Sequence, residues 1–313
     1  MCRPLIFASI AIPLGTQGMG GLLAGSQALV KGGRFVSKLP IPIAEGAVTA
    51  FELILASSVV PEFIARLMEP IKEFRHMQKG TFDYKDGSTV CEGYVATDGA
   101  AGRKPCVLVA HQWAGLYDQE RAKAEELARL GYLGFAIDVY GKGVRGKPHE
   151  DNSAYMSPFL NDRAKLKQRM LAAVEAAKAR ADVDPNKIAI IGYCFGGLCA
   201  LDIARSGTKD VKGAVSLHGI FAPPVLGAQG KISTKVLVLH GWEDPMAKPN
   251  DVLGLAKEMT EAGADWQIHA YGHAMHAFTS ESANAPESGV KYDRNADRRS
   301  ALATENFLKE VFG

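Results

Sequence analysis

The chain has 313 residues, 47% of them hydrophobic, 22% charged and 8% aromatic. This globular composition excludes collagen-like, disordered and coiled-coil architectures for the chain as a whole. Lys plus Arg number 36 against 34 Asp plus Glu, a net charge of +2, which gives no electrostatic ground for a nucleic-acid partner or an anionic membrane surface. Five cysteines without a CxxC pair point away from a zinc module or a disulfide scaffold, and no cluster of His, Cys and acids has metal-ligand spacing.

Residues 1–44 carry Arg3, Lys31, Arg34 and Lys38 but no Asp or Glu, and the apolar run Pro4–Leu14 follows Arg3. A basic start, a short apolar run and small residues around Ala24–Ala28 fit a secretory signal, while the lack of acids fits an organellar transit peptide. A plain leader on a cytoplasmic protein is the expectation adopted, with targeting as its alternative. Pro13 and Gly15 interrupt the run, which falls well short of the roughly 20 apolar residues of a membrane span. From residue 45 the spacing changes. Phe51, Leu55 and Val59, then Phe63, Ile64, Leu67, Met68 and Ile71, recur at helical intervals. The pattern predicts a helical extension over 45–79, interrupted at Pro61, whose ring clashes with the preceding turn. It lacks the dense Lys/Arg face of a membrane-surface helix.

From residue 80 to the C-terminus strands and helices alternate. Thr81–Tyr84 and Val90–Ala96 flank a turn at Lys85-Asp86-Gly87 and predict a hairpin. Further strands are expected at Cys106–Ala110, Tyr132–Ile137, Lys187–Ile191, Gly213–Leu217, Lys235–His240 and Trp266–Tyr271, and helices at Gln119–Leu130, Asp162–Arg180, Gly196–Arg205, Asp251–Ala262 and Asp297–Phe312. Continuous apolar runs such as Val107-Leu108-Val109-Ala110 suit strands buried on both faces, hence an α/β domain with a mostly parallel sheet flanked by helices. Gly141–Phe159 is expected to be a loop at a strand's C-terminal end, where open α/β sheets bind ligands. Within it Gly141-Lys142-Gly143-Val144-Arg145-Gly146 matches GxGxxG, but Lys147-Pro148-His149-Glu150-Asp151 follows. No helix N-terminus opens there to receive a pyrophosphate, so nucleotide binding is not expected.

The segment that carries chemistry is Gly192-Tyr193-Cys194-Phe195-Gly196-Gly197. It has the spacing of the G-x-S-x-G nucleophile elbow, with cysteine in the serine position, between an apolar strand and a helix-forming run. Small neighbours are needed because the nucleophile sits on a tight, strained strand-to-helix turn. The helix N-terminus there favours thiolate. Such a nucleophile requires a base and an orienting acid, in the chain order nucleophile, acid, histidine. Downstream lie Asp244 in His240-Gly241-Trp242-Glu243-Asp244-Pro245 and His276 in Tyr271-Gly272-His273-Ala274-Met275-His276-Ala277-Phe278, each just past a strand. Glu243 and His273 are their local alternatives.

These residues carry a family resemblance. From about residue 80 onward the chain resembles the dienelactone hydrolase family of α/β-hydrolases, through the G-x-C-x-G-G elbow, the G-x-x-D turn at Gly241–Asp244 and the H-x-F motif at His276–Phe278. The resemblance implies an α/β-hydrolase fold over 80–313 that cleaves a small-molecule ester or lactone without metal or cofactor. It implies Cys194 as nucleophile, His276 as general base and acid, and Asp244 as its orienting carboxylate. It also implies an oxyanion hole from the backbone N–H groups of Phe195 and Trp113. Two departures stand out. Gln112 replaces a family glutamate beside the nucleophile; it can hydrogen-bond but holds no charge, so activation is expected from His276 and the helix terminus. Thr279-Ser280 follows the H-x-F motif where dienelactone-cleaving members carry an arginine. Lys142, after Asp138-Val139-Tyr140, is the candidate for a second basic substrate-binding position, as a point charge without a bidentate fork. The alternatives are a thioester- or peptide-directed enzyme and a non-catalytic binding protein on the same fold.

Overall fold

The computed structural model describes residues 29–31, 34–36, 77–148 and 150–313. The chain divides into two units, Met1–Glu73 and Phe74–Gly313. In the first, β1 (Leu29–Lys31) pairs antiparallel with β2 (Arg34–Val36). The rest of the expected leader, and residues 45–76 of the expected helical extension, lie outside the described residues. The last residues of that extension are strand, because β3 already begins at Gln78.

The second unit is built on an eight-stranded sheet in the order β10-β9-β8-β7-β5-β6-β4-β3. The hairpin β3 (Gln78–Asp86) and β4 (Thr89–Thr97) forms one edge. It joins antiparallel to β6 (Leu133–Ile137). Strands β5 (Lys104–Ala110), β7 (Val183–Tyr193), β8 (Val211–Leu217), β9 (Lys235–Gly241) and β10 (Trp266–Tyr271) run parallel with β6. Alternation decides which side chain enters which layer. Cys106, Leu108 and Ala110 of β5 face one apolar cluster, Val107 and Val109 the other. Both faces are thus dry, as continuous apolar runs require.

The first cluster is closed by α2 (Ser153–Leu160), α3 (Arg163–Lys178), α4 (Phe195–Arg205) and α5 (Pro249–Glu261), through Phe159, Leu166, Met170, Leu198, Leu201, Leu255 and Met259. The opposite face is closed by α1 (Asp118–Arg129) and α6 (Arg294–Phe312), through Ala124, Leu127, Phe307 and Leu308. Helix starts follow local chemistry. The Asp162 carboxylate accepts the Lys165 N–H at 2.9 Å, and Asp293 accepts the Asn295 and Ala296 N–H groups at 2.9 and 2.8 Å, which satisfies donors that have no intrahelical partner. Cys91, Cys106 and Cys199 are fully buried packing residues, and burial pushes the Cys91 thiol up to about 11.

The chief departure from the sequence reading is α2, which lies inside the stretch expected as loop. Pro158 sits within it and removes an i→i−4 hydrogen bond, so propensity argues against a helix there. Tertiary contact outweighs that cost: Phe159 is buried against Tyr140, with ring centroids 5.6 Å apart. Two short strands, β11 (Asn284–Ala285) and β12 (Val290–Lys291), pair around a 3-10 turn at Pro286–Ser288. No described helix is long and apolar enough to cross a membrane.

Candidate active site

β7 ends at Tyr193 and α4 begins at Phe195, so Cys194 is the single residue of the turn between them. Its backbone has φ +55° and ψ −115°, a region that costs an ordinary L-residue about 1–3 kcal/mol and needs outside support. Backbone hydrogen bonds supply that support. The Cys194 N–H donates to the Leu217 carbonyl at 3.0 Å, and its own carbonyl accepts the Gly197 N–H at 3.0 Å. The flanking glycines are steric necessities: a Cβ on Gly192 would stand 2.0 Å from the Gly196 oxygen, and one on Gly196 would stand 2.2 Å from the Ala110 oxygen. Cys194 is 8% exposed. Phe195 is the first residue of α4, so its N–H is one of those the helix itself leaves free.

Asp244 lies in the loop after β9 and His276 in the loop after β10. The two are brought together in the interior: the His276 Nδ1–H donates to Asp244 Oδ2 at 2.7 Å, and the side chains are 4% and 0% exposed. The other Asp244 oxygen accepts the Met246 N–H at 2.8 Å. The His276 backbone is clamped by Gly289 and Lys291, at 2.9 and 3.0 Å, beside β12. Cys194 is the other side chain that acts on the His276 ring. Burial disfavours the imidazolium, but the neighbouring Cys194 sulfur and the Asp244 carboxylate, through its hydrogen bond and its charge, outweigh it and raise the pKa from 6.5 to about 10. The alternatives Glu243 and His273 pair with one another at 2.9 Å, with the His273 side chain 94% exposed, apart from this buried pair.

The loop after β5 carries Gln112 and Trp113. Buried His111 holds it: the His111 Nδ1–H donates to the Gln112 carbonyl at 2.6 Å, and Nε2 accepts the Val139 N–H at 3.1 Å. Accepting at Nε2 requires a neutral ring, and burial lowers its pKa to about 4 despite the Gln112 hydrogen bond. The Trp113 carbonyl accepts from the Tyr140 hydroxyl at 2.8 Å. The Tyr140 ring stacks on Phe195 with centroids 5.9 Å apart, so this loop is tied to the residue following the nucleophile. The Gln112 amide donates to Gln119 at 2.7 Å. Glu120, 2% exposed, accepts the N–H groups of Tyr117 at 2.9 Å and Gln112 at 3.4 Å.

Lys142, the candidate substrate-binding cation, is engaged by carboxylates. Its ammonium is paired with Asp83 at 2.6 Å and Glu92 at 3.3 Å on the β3–β4 hairpin, half exposed. Thr279 accepts or donates at 2.8 Å from the ring of buried His218. His111, Glu120, Tyr140 and His218 were not singled out from the sequence. The signal that could have found two of them is position: His111 and His218 each directly follow an apolar strand at the C-terminal edge of the sheet. Among the described residues no group of three or more His, Cys, Asp and Glu could hold a metal ion.

Residues 91–312 match the profile of the dienelactone hydrolase family. An uncharacterized protein of Caenorhabditis elegans is 39% identical over 151 residues, 47% of this chain and 95% of that protein. A carboxymethylenebutenolidase of Pseudomonas sp. (strain P51) is 25% identical over 205 residues, 64% of this chain and 84% of that one. Among solved structures, a dienelactone hydrolase-like promiscuous phosphotriesterase from metagenomic libraries is 35% identical, with a TM-score of 0.72 over 76% of this chain and 99% of that one. The matched span contains the elbow, the G-x-x-D turn and the H-x-F motif, and the chain belongs to the dienelactone hydrolase family.

Proposed function

We propose that the protein hydrolyses small-molecule esters or lactones by covalent catalysis, with Cys194 as nucleophile, His276 as proton carrier and Asp244 as its orienting carboxylate. The observation that carries this reading is the buried 2.7 Å bond between His276 and Asp244, on an imidazole that the elbow cysteine also influences. The raised His276 pKa favours the imidazolium, the form that donates a proton to the leaving group.

In the first step the Cys194 sulfur adds to the carbonyl carbon. Negative charge moves to the carbonyl oxygen, which the Phe195 and Trp113 N–H groups receive; each such donor is worth about 3–4 kcal/mol of barrier. The tetrahedral adduct collapses by breaking the ester C–O bond, and the His276 imidazolium gives its proton to the departing alkoxide. This leaves a thioester and a neutral imidazole. A water molecule then adds to the thioester, losing a proton to His276. Collapse expels the Cys194 thiolate and releases the acid. Asp244 holds the proton on Nδ1 throughout, so that Nε2 faces the chemistry.

The carboxymethylenebutenolidase and phosphotriesterase named among the relatives and neighbours favour small electrophilic esters over peptides. At 35% identity the second makes phosphotriester cleavage at Cys194 a worthwhile second assay. The deciding experiment is p-nitrophenyl butyrate hydrolysis by the native chain and by Cys194→Ala. Loss of turnover with an unchanged circular dichroism spectrum supports the assignment, and undiminished turnover removes it.

A further inference from the structure

His218 is a buried histidine at this site that the proposed mechanism does not use. It follows β8 immediately and is 0% exposed. Its φ is +37°, a conformation uncommon for a residue with a side chain and costly enough to need support. The backbone there is committed twice: the Leu217 carbonyl accepts the Cys194 N–H at 3.0 Å, and the His218 N–H donates to the Leu239 carbonyl at 2.9 Å. The strained corner therefore fixes the nucleophile's backbone on one side and presents an imidazole on the other. That imidazole meets the His276 ring edge to face, with centroids 5.2 Å apart and planes at 71°. It meets Phe278 in the same manner, at 5.2 Å and 81°. Its Nε2 is 2.8 Å from the Thr279 hydroxyl, and its Nδ1 has no partner.

The tautomer follows from these contacts. An orphaned buried N–H is rarer and costlier than an orphaned lone pair, so the proton sits on Nε2 and is donated to Thr279. The groups that face His276 are Cys194 from the elbow, Asp244 from the loop after β9, His240 from the end of β9 and His218 from the end of β8. Of the two additional imidazoles, His240 has neither ring nitrogen bonded, whereas His218 is pinned. Burial and the neighbouring His276 charge both hold His218 in its uncharged form.

We propose that His218 is a positioning residue for His276: an uncharged ring, anchored through Thr279, that keeps the His276 imidazole aligned between Asp244 and Cys194. The proposal rests on reading His276 as the catalytic base. Thr279 is half-buried and borders a cavity of about 540 Å³ beside Tyr193 and Leu217, so it can be changed without opening the core.

The test uses the full chain with 13Cε1-labelled histidine. Thr279→Val removes the anchor, and kcat is expected to fall about tenfold or more with KM within about twofold, because small misalignments of a base cost rate rather than binding. The His276 resonance is expected to titrate at lower pH than in the native protein, and Thr279→Ser is expected to restore both. His218→Phe keeps a ring without the anchor and should resemble Thr279→Val; if it does not fold, the Val and Ser pair decides. A Thr279→Val protein with native kcat, native pH profile and an unmoved His276 titration overturns the proposal. The titration needs no turnover. If the native chain cleaves no ester, the hydrolase reading fails, and the His276 resonance in Thr279→Val still decides whether His218 positions that ring.

Discussion

Replacing Asp244 by Asn probes the site most sharply, because the change is nearly isosteric and yet reverses a proton's location. In the native chain one carboxylate oxygen accepts the Met246 N–H at 2.8 Å and the other accepts the His276 Nδ1–H at 2.7 Å. Asn has a single acceptor. The Met246 N–H cannot reorient, so the amide oxygen stays with it and the NH2 group faces Nδ1. His276 then accepts at Nδ1 and carries its proton on Nε2, toward Cys194, where a base must be bare. The energetic part can be bounded. Raising the His276 pKa from 6.5 to about 10 corresponds to about 5 kcal/mol in favour of the imidazolium. Cys194 makes the largest favourable contribution and the Asp244 hydrogen bond and charge add to it, so losing the carboxylate weakens the imidazolium. The inverted tautomer adds to this, and kcat is expected to fall about 10³–10⁴-fold in all, as the same swap does in serine triads. KM stays within about threefold, since no substrate contact is removed. The assay is p-nitrophenyl butyrate hydrolysis beside near-ultraviolet circular dichroism. A folded Asp244→Asn protein retaining more than about a tenth of native kcat would refute the reasoning.

Stability should depend on pH in two windows. The imidazolium of His276 is bound more tightly in the folded chain, so its contribution is full below about 6.5 and is lost as pH rises toward about 10; urea titrations should show the native advantage over Asp244→Asn fading across that range. Burial raises the Glu120 pKa from 4.5 to about 7 despite its backbone hydrogen bonds. The folded chain therefore binds that proton more tightly, and stability falls as pH rises from about 4.5 to 7, by roughly 3 kcal/mol at most. Glu120→Gln should flatten this segment of the curve, and a native-like slope in that variant would count against the assignment. Gly192→Ala should lose about 3 kcal/mol or more in urea unfolding, together with ester turnover, because the new methyl meets backbone that cannot yield. Asp202→Ala strips two buried guanidiniums, Arg163 at 2.6 Å and Arg205 at 3.3 Å, of their shared carboxylate, and the midpoint should drop by the equivalent of about 3–5 kcal/mol. Lys142→Ala breaks only half-exposed ion pairs, so the urea midpoint should stay at its native value, and kcat/KM for carboxylated and neutral esters alike should stay at native values.

Much of this molecule was legible in its sequence, because the relevant signals are local. Apolar runs with flanking turns located the parallel strands, since a strand buried on both faces must be apolar at every position. Gly192, Cys194 and Gly196 announced the elbow because a tight strand-to-helix turn tolerates little else; the structure supplies the atoms that enforce it, the Gly196 and Ala110 carbonyl oxygens. Pairing across the fold was not local and could not be read that way. Asp244 and Glu243 are neighbours in the chain, as His273 and His276 nearly are, and only the tertiary structure separates them into a buried pair and a surface pair. Nothing in the local sequence around Lys142 shows that Asp83 and Glu92, from a hairpin far away in sequence, pair with it. α2 formed against its own proline because Tyr140 and the core offered Phe159 a place to pack. His218 shows the limit best: nothing in Leu217-His218-Gly219 says that its ring will lie against His276. That contact exists because β8 ends between the strands that deliver the nucleophile and the acid, a fact of sheet order rather than of composition.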